Sequence, residues 1–203
     1  MTARTYGRQS QEQILAAAQT LFAERGLHET SMSDIARAAG LSRATVFNQF
    51  GSKALILDAL TARSLRAYGD LLDKALAAPA ATTPDLLRDL FQQMARGLEA
   101  NRAAHRAVFG EIRKVSMGLE AEGQSPALRR QAFDRLVELM RRGQGRGELD
   151  PRRAAETLAT AFDSLLAGAV TQWLHGPSDA ALEPMLSELA GVLLDGIAAV
   201  KTD

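Results

Sequence analysis

Two short runs with helical periodicity, separated by a single glycine, constrain this chain more than any other feature. Ser31 and Asp34 have the spacing of a capping box, in which a hydroxyl and a carboxylate satisfy the free amides at a helix start. Met32, Ile35, Ala36 and Ala39 form the apolar stripe that follows, and Gly40 stops the run. Ser42 caps the next segment, with Leu41 placed to staple onto Val46, and Gly51 closes it after Phe50. Neither segment is long enough to hold a helix alone, so each must pack on its neighbours. Two helices meeting across a glycine turn have the spacing of a helix-turn-helix.

The flanking sequence predicts helices throughout. A first helix is expected from Ser10, capped with Gln13, with Ile14, Leu15, Ala18, Leu21 and Phe22 on one face and Gly26 at its end. A long fourth helix is expected over 52–77, carrying Leu55, Ile56, Ala59, Leu60, Leu65 and Leu72. The Ala/Thr/Pro-rich stretch 77–84 reads as the connection between halves. Further helices are expected near 84–99, 103–117, 126–142, 151–173 and 179–200. The β-branched, alternating runs that mark strands are missing, so the fold class is all-α. The organisation expected is an N-terminal three-helix helix-turn-helix domain, 1–52, and a C-terminal helical domain, 53–203.

Composition excludes several chemistries. The chain has no cysteine, which removes disulfides, cysteine-ligated zinc and a thiol nucleophile and suits a reducing cytoplasm. Residues 1–10 lack the apolar core of a signal peptide, and no apolar run approaches the roughly 18 residues that cross a bilayer, so no membrane association is expected. The 24 basic and 24 acidic residues cancel, so any contact with nucleic acid must be local. Through Lys53 there are six Lys/Arg against four Asp/Glu, while the remainder carries 18 against 20.

The third helix supplies the chemistry for such a contact. Arg43, Thr45, Asn48 and Gln49 are expected outward, with Ala44, Val46, Phe47 and Phe50 supplying small or apolar groups. Arginine can take guanine O6 and N7 in a bidentate pair, and Asn or Gln can do the same with adenine N6 and N7. Ser31, Ser33 and Ser42, with the free amides of both helix starts, suit phosphate oxygens, and Lys53 adds charge at the start of the fourth helix.

The run from Thr30 through Lys53, Thr-Ser-Met-Ser-Asp-Ile-Ala-Arg-Ala-Ala-Gly-Leu-Ser-Arg-Ala-Thr-Val-Phe-Asn-Gln-Phe-Gly-Ser-Lys, resembles the DNA-binding signature of the TetR family. The likeness covers about the first quarter of the chain, and beyond Leu60 only length and helix order extend it. It implies that Ser31 stands at the helix-two cap that touches phosphate, and Lys53 at the helix-four lysine that binds the backbone. Phe47 stands where the family most often has a tyrosine whose hydroxyl reaches phosphate, so that bond is lost and Phe47 is expected in the core. Asn48 and Gln49 replace the usual aromatic and histidine, which leaves the operator sequence open.

The resemblance further implies a homodimer built from the last two helices. The residues expected at that interface are Phe162, Leu165, Leu166, Ala169, Val170, Trp173, Leu186, Leu189 and Leu193, because their apolar faces are wider than one small domain needs. Two reading helices about 34 Å apart would then match a palindromic double-stranded operator. A small, apolar effector is expected among the helices between 84 and 142, against Phe91, Met94, Leu98, Phe109, Ile112, Met117, Phe133 and Leu136, with the fourth helix transmitting its presence to the DNA-binding half. Glu111 and Arg113 flank that region.

Other motifs fall away. The run Arg141 to Gly147 lacks a preceding strand and a Lys-Ser/Thr, so it is a loop between helices and no phosphate loop. His28, His105 and His175 lie far apart, and neither a metal nor a cofactor is expected. No nucleophile beside a base or paired carboxylates stands out, so no enzyme is expected, and the resemblance implies a ligand-responsive repressor. A helical interaction module and a helical enzyme without a DNA role are the alternatives.

Overall fold

The computed structural model describes residues 3–100, 102–116, 123–177 and 179–197. These contain nine α-helices and no strand: α1 Ala3–Arg25, α2 Met32–Ala38, α3 Arg43–Phe50, α4 Lys53–Leu76, α5 Thr83–Glu99, α6 Arg102–Ser116, α7 Ser125–Gly145, α8 Ala155–His175 and α9 Leu182–Ile197.

The punctuation of the N-terminal half follows the capping chemistry. Gly26, Gly40 and Gly51 take φ of +81°, +66° and +68°, a region where a side chain would be strained. Ser31 and Asp34 form a reciprocal capping box on α2, and Ser42 Oγ accepts the backbone N–H of Thr45 on α3. The first helix differs from expectation, since α1 begins at Ala3 and passes straight through Ser10. Ser10 is buried within it, and its hydroxyl donates to the Gly7 carbonyl at 3.1 Å, the back-bond of a serine inside a helix.

The chain forms two compact units, Met1–Ser64 with Arg102–Ala127, and Leu65–Asn101 with Leu128–Asp203. These units meet inside α4, at 64/65, and 77–84 is internal to the second unit. In the first unit Ile14, Ala18, Phe22, Ile35, Ala36, Val46, Ile56 and Leu60 make one core, and Val108 from α6 completes it. An apolar residue recruited from α6 is why a segment so far along the chain joins the N-terminal helices.

In the second unit Phe91 of α5 stacks on Phe162 of α8, centroids 4.4 Å apart, and Leu72, Leu87, Leu136, Leu139, Met140 and Leu186 of the same unit are buried as well. Helix α7 runs three residues past its expected end, and Gly143 within it sits where no side chain fits: a Cβ would come within 2.8 Å of Leu149 and 2.9 Å of Thr83. Two arginines around the end of α7 act as caps. Arg142 donates to the carbonyls of Ala75 and Leu76 at the end of α4, and Arg146 to those of Pro79 and Ala81. Helix α8 starts at Ala155, four residues later than expected, because Asp150 binds the backbone and guanidinium of Arg152 and turns 151–153 out of helical conformation.

Candidate nucleic-acid interface

The first unit presents α3 by fixing its other side. Val46 is fully buried, and Leu41 and Phe50 pack against the same core. The outward side is formed by Arg43, Ala44, Phe47 and Asn48, all exposed. Ser31 and Ser33 are exposed as well, on and beside the cap of α2.

Four residues sit differently from the sequence expectation. Gln49 is half-buried and turned inward, its amide donating to the hydroxyl of Ser10 in α1. Phe47, expected in the core, is 40% exposed, because the helical repeat that buries Val46 carries its neighbour to the solvent side. The Arg43 guanidinium lies 5.4 Å from the centre of the Phe47 ring. Thr45 is half-buried, its hydroxyl 2.8 Å from that of Ser42.

Lys53 is the fourth departure. Its ammonium donates to the main-chain carbonyls of Leu27, Thr30 at 2.8 Å and His28 at 3.4 Å. An ammonium has three protons, so in this geometry Lys53 ties the turn between α1 and α2 to the start of α4. Thr30 belongs to the same turn: it is buried, and its hydroxyl donates to the Gly26 carbonyl at 2.8 Å. Sequence reasoning took Ser10 for a helix cap and missed Thr30, whose only local signal is a hydroxyl near a glycine turn.

Electrostatically the exposed face of α3 is simple. Among the described residues no carboxylate pairs with Arg43, whereas Arg37 on α2 pairs with Asp34. The Asp34 carboxyl is held below its ordinary range by hydrogen bonds from Ser31 and, further, by Arg37. It is spent on the cap and leaves α3 with a cation, an amide and an aromatic ring facing outward.

The residues expected at the effector and dimer surfaces divide. Phe91 and Leu136 are fully buried core, while Met94, Leu98 and Phe133 are half-buried in the second unit. Phe109 is half-buried on α6 in the first unit, and Arg113 is exposed there. Met117 and the side chains of Glu111 and Ile112 lie outside the described residues. Of the nine dimer residues, Phe162, Leu166, Ala169, Val170, Trp173 and Leu186 are buried within the single chain, so they form its own core. Helices α8 and α9 are apolar on more than one side, and pattern alone did not separate the inner face from the outer. Leu165, Leu189 and Leu193 stay half-exposed, and Val192, which pattern did not single out, is 66% exposed.

Among the described residues no three His, Cys, Asp or Glu side chains group as a metal site, and no helix is long and apolar enough to cross a membrane. A capped helix-turn-helix whose second helix offers arginine and asparagine to solvent, on an otherwise helical chain, defines a DNA-binding regulator.

Comparison with known proteins agrees. Residues 14–60 match the family described as bacterial regulatory proteins, tetR family. The chain is 30% identical over 179 residues to the HTH-type transcriptional regulator TtgR of Pseudomonas putida, covering 83% of this chain and 82% of that protein. It is 26% identical over 174 residues to the HTH-type transcriptional repressor BepR of Brucella suis, with the same coverages. Its fold resembles that of FadR from Bacillus subtilis, solved in complex with stearoyl-CoA, at a TM-score of 0.77 and 19% identity, covering 92% of this chain and 98% of that one. The chain belongs to the tetR family, and it is a transcriptional regulator.

Proposed function

We propose that the protein is a homodimeric repressor that holds a palindromic operator through α3 and releases it when a small, largely apolar effector enters the helical body. The observation that carries the DNA part is the outward set Arg43 and Asn48 on a helix whose opposite side is locked in the core. These groups suit guanine and adenine edges in the major groove, while Ser31, Ser33 and Ser42 lie at the helix starts that suit phosphate. Gln49 and Lys53 act as braces in this reading, holding α3 to α1 and α4 to the turn after α1.

Dimerisation is supported by small and apolar residues left uncovered on two helices: Ala161, Leu165 and Gly168 on α8, and Met185, Leu189, Val192 and Leu193 on α9. Small residues let helices approach closely, and a self-complementary face of this kind suits a two-fold interface.

Effector binding is supported by a polar node in the second unit. The Arg129 guanidinium of α7 pairs with the Asp163 carboxylate of α8 and lies 5.8 Å from the Phe133 ring. The Tyr68 hydroxyl of α4 is buried without a hydrogen-bond partner and feels both charges. Burial first, and the Asp163 carboxylate second, keep that phenol protonated and able to donate. FadR from Bacillus subtilis, of related fold, is known in complex with stearoyl-CoA, which supports a body that takes a molecule with a long apolar chain.

The test is a fluorescence-anisotropy titration of the purified protein on the intergenic duplex beside its own gene, at two salt concentrations. Sequence-selective binding that falls at least about tenfold between 50 and 200 mM salt is expected. Arg43→Ala and Asn48→Ala should each cost about 1–3 kcal/mol on the preferred duplex and leave random duplex binding little changed. Binding no better than to a random duplex at either salt overturns the proposal for that DNA, and failure to enrich any sequence from a random pool overturns it altogether.

A further inference from the structure

The reading face of α3 carries an aromatic ring that recognition by hydrogen bonds does not need. Among the described residues only Phe47, Leu55 and Val192 are large apolar side chains exposed to solvent. Val192 belongs to the apolar strip on α9. Phe47 has no such strip around it, since its exposed neighbours on α3 are Arg43, Ala44 and Asn48. Leaving a phenyl ring in water forgoes the burial that stabilises a core aromatic, and the adjoining position, Val46, shows that the helix has a core side to offer.

A phenyl ring has neither donor nor acceptor, so it cannot hold a phosphate and cannot recognise the polar edge of a base. The major groove offers one feature that it fits, the C5 methyl of thymine. Its partner on the same face is fixed. The Arg43 guanidinium lies 5.4 Å from the ring centre, one helical turn earlier, so the ring limits the rotamers of the side chain best suited to guanine.

We infer that Phe47 is a specificity-determining residue that packs on a thymine methyl, and that Arg43, held against its ring, reads a guanine within one or two base pairs of that thymine. The inference rests on the reading that α3 enters the major groove, and it names the sequence class that the groove must present. Asn48 completes the set with an adenine edge.

The experiment begins by selecting duplexes from a random pool with the intact protein. Each thymine of the selected half-site is then replaced singly by deoxyuridine, which removes the methyl group and keeps the base pair. One replacement should weaken binding by about fourfold to tenfold, the contribution of one buried methyl group. Phe47→Ala, at an exposed position that leaves the core untouched, should bind the thymine and deoxyuridine duplexes alike. Wild-type binding within about twofold for every deoxyuridine duplex overturns the inference while leaving operator binding standing, and so does an undiminished methyl effect in Phe47→Ala. Enrichment of no sequence overturns the underlying reading and the inference with it.

Discussion

The carboxylate of Asp58, in α4, accepts the backbone N–H groups of Gln124 and Ser125 at 3.1 Å each, so the start of α7 is capped by a residue 67 positions earlier than Ser125. Ser125 answers by donating its hydroxyl to the Asp58 carbonyl at 3.1 Å. Gly123 precedes this contact at φ +98°, where a Cβ would fall 2.1 Å from the carboxylate. Asp58→Ala leaves these helix-start amides without their anion and should cost about 1–2 kcal/mol. Thermal unfolding by circular dichroism checks it. Gly123→Ala should lose at least as much, since it adds strain to the same clash, and an unchanged melting temperature in both would show that the cap contributes nothing.

Lys53→Met keeps the aliphatic stem and removes the charge that binds three carbonyls. It should lower stability without any DNA present by about 1.5–3 kcal/mol, the range for hydrogen bonds to a charged group. A side chain acting only on phosphate would leave the melting curve of the free protein unchanged and would instead reduce the salt slope of DNA binding by about one.

Val192→Glu puts a charge on the exposed apolar strip of α9. Light scattering at micromolar concentration should show monomer in place of dimer, with helicity retained. Phe162→Ala provides the contrast, since Phe162 is fully buried against Phe91. It should destabilise the chain by about 3–5 kcal/mol and so report on folding before association.

Asp150 sets the acid limit that can be read most directly. Hydrogen bonds from the Arg152 side chain and backbone hold its carboxyl down to about 2. Its folded pKa lies below the unfolded value of about 4, so the stabilisation is present above pH 4 and lost as pH falls through about 2. The melting-temperature gap between wild type and Asp150→Asn should be widest above about pH 5 and close between about pH 4 and pH 2. A gap that stays constant across that window removes the pair from the account.

Two glycines inside helices should respond to alanine with opposite signs. At Gly97 a Cβ meets nothing within 4 Å, so Gly97→Ala should stabilise α5 by about 0.5–1 kcal/mol. At Gly143 the added atom would overlap Leu149 and Thr83, and the substitution should destabilise despite the helical backbone. Paired denaturant titrations distinguish the signs directly.

The parts of this structure written locally were legible. Caps at Ser31 and Ser42 and turns at Gly26, Gly40 and Gly51 depend on residues a few positions apart, and they stand where that chemistry puts them. What escaped depends on partners far along the chain. Gln49 looks like a base reader until Ser10, 39 residues earlier, takes its amide. Phe47 looks like core because it is apolar, but on a helix of eight residues the repeat gives only one buried position, Val46. On α8 and α9 the apolar set is wider than the buried face, so the sequence does not tell residues packed inside the chain, such as Phe162 and Leu186, from Leu165, Leu189 and Leu193, which stay half-exposed.

The helix-turn-helix takes part of its core from Val108, and its compact unit includes 102–127. A reader of this construction is not a detachable cassette. Grafting residues 1–52 onto another regulator would import the base-contacting surface without the α6 residue that finishes its interior. A working chimera must carry two pieces of chain, 1–64 and 102–127, and it therefore inherits the first stretch of α4 and all of α6 along with the address it reads. With Arg43, Phe47 and Asn48 as the proposed readers, exchange of specificity within this architecture is correspondingly simpler by substitution there than by recombination of whole domains.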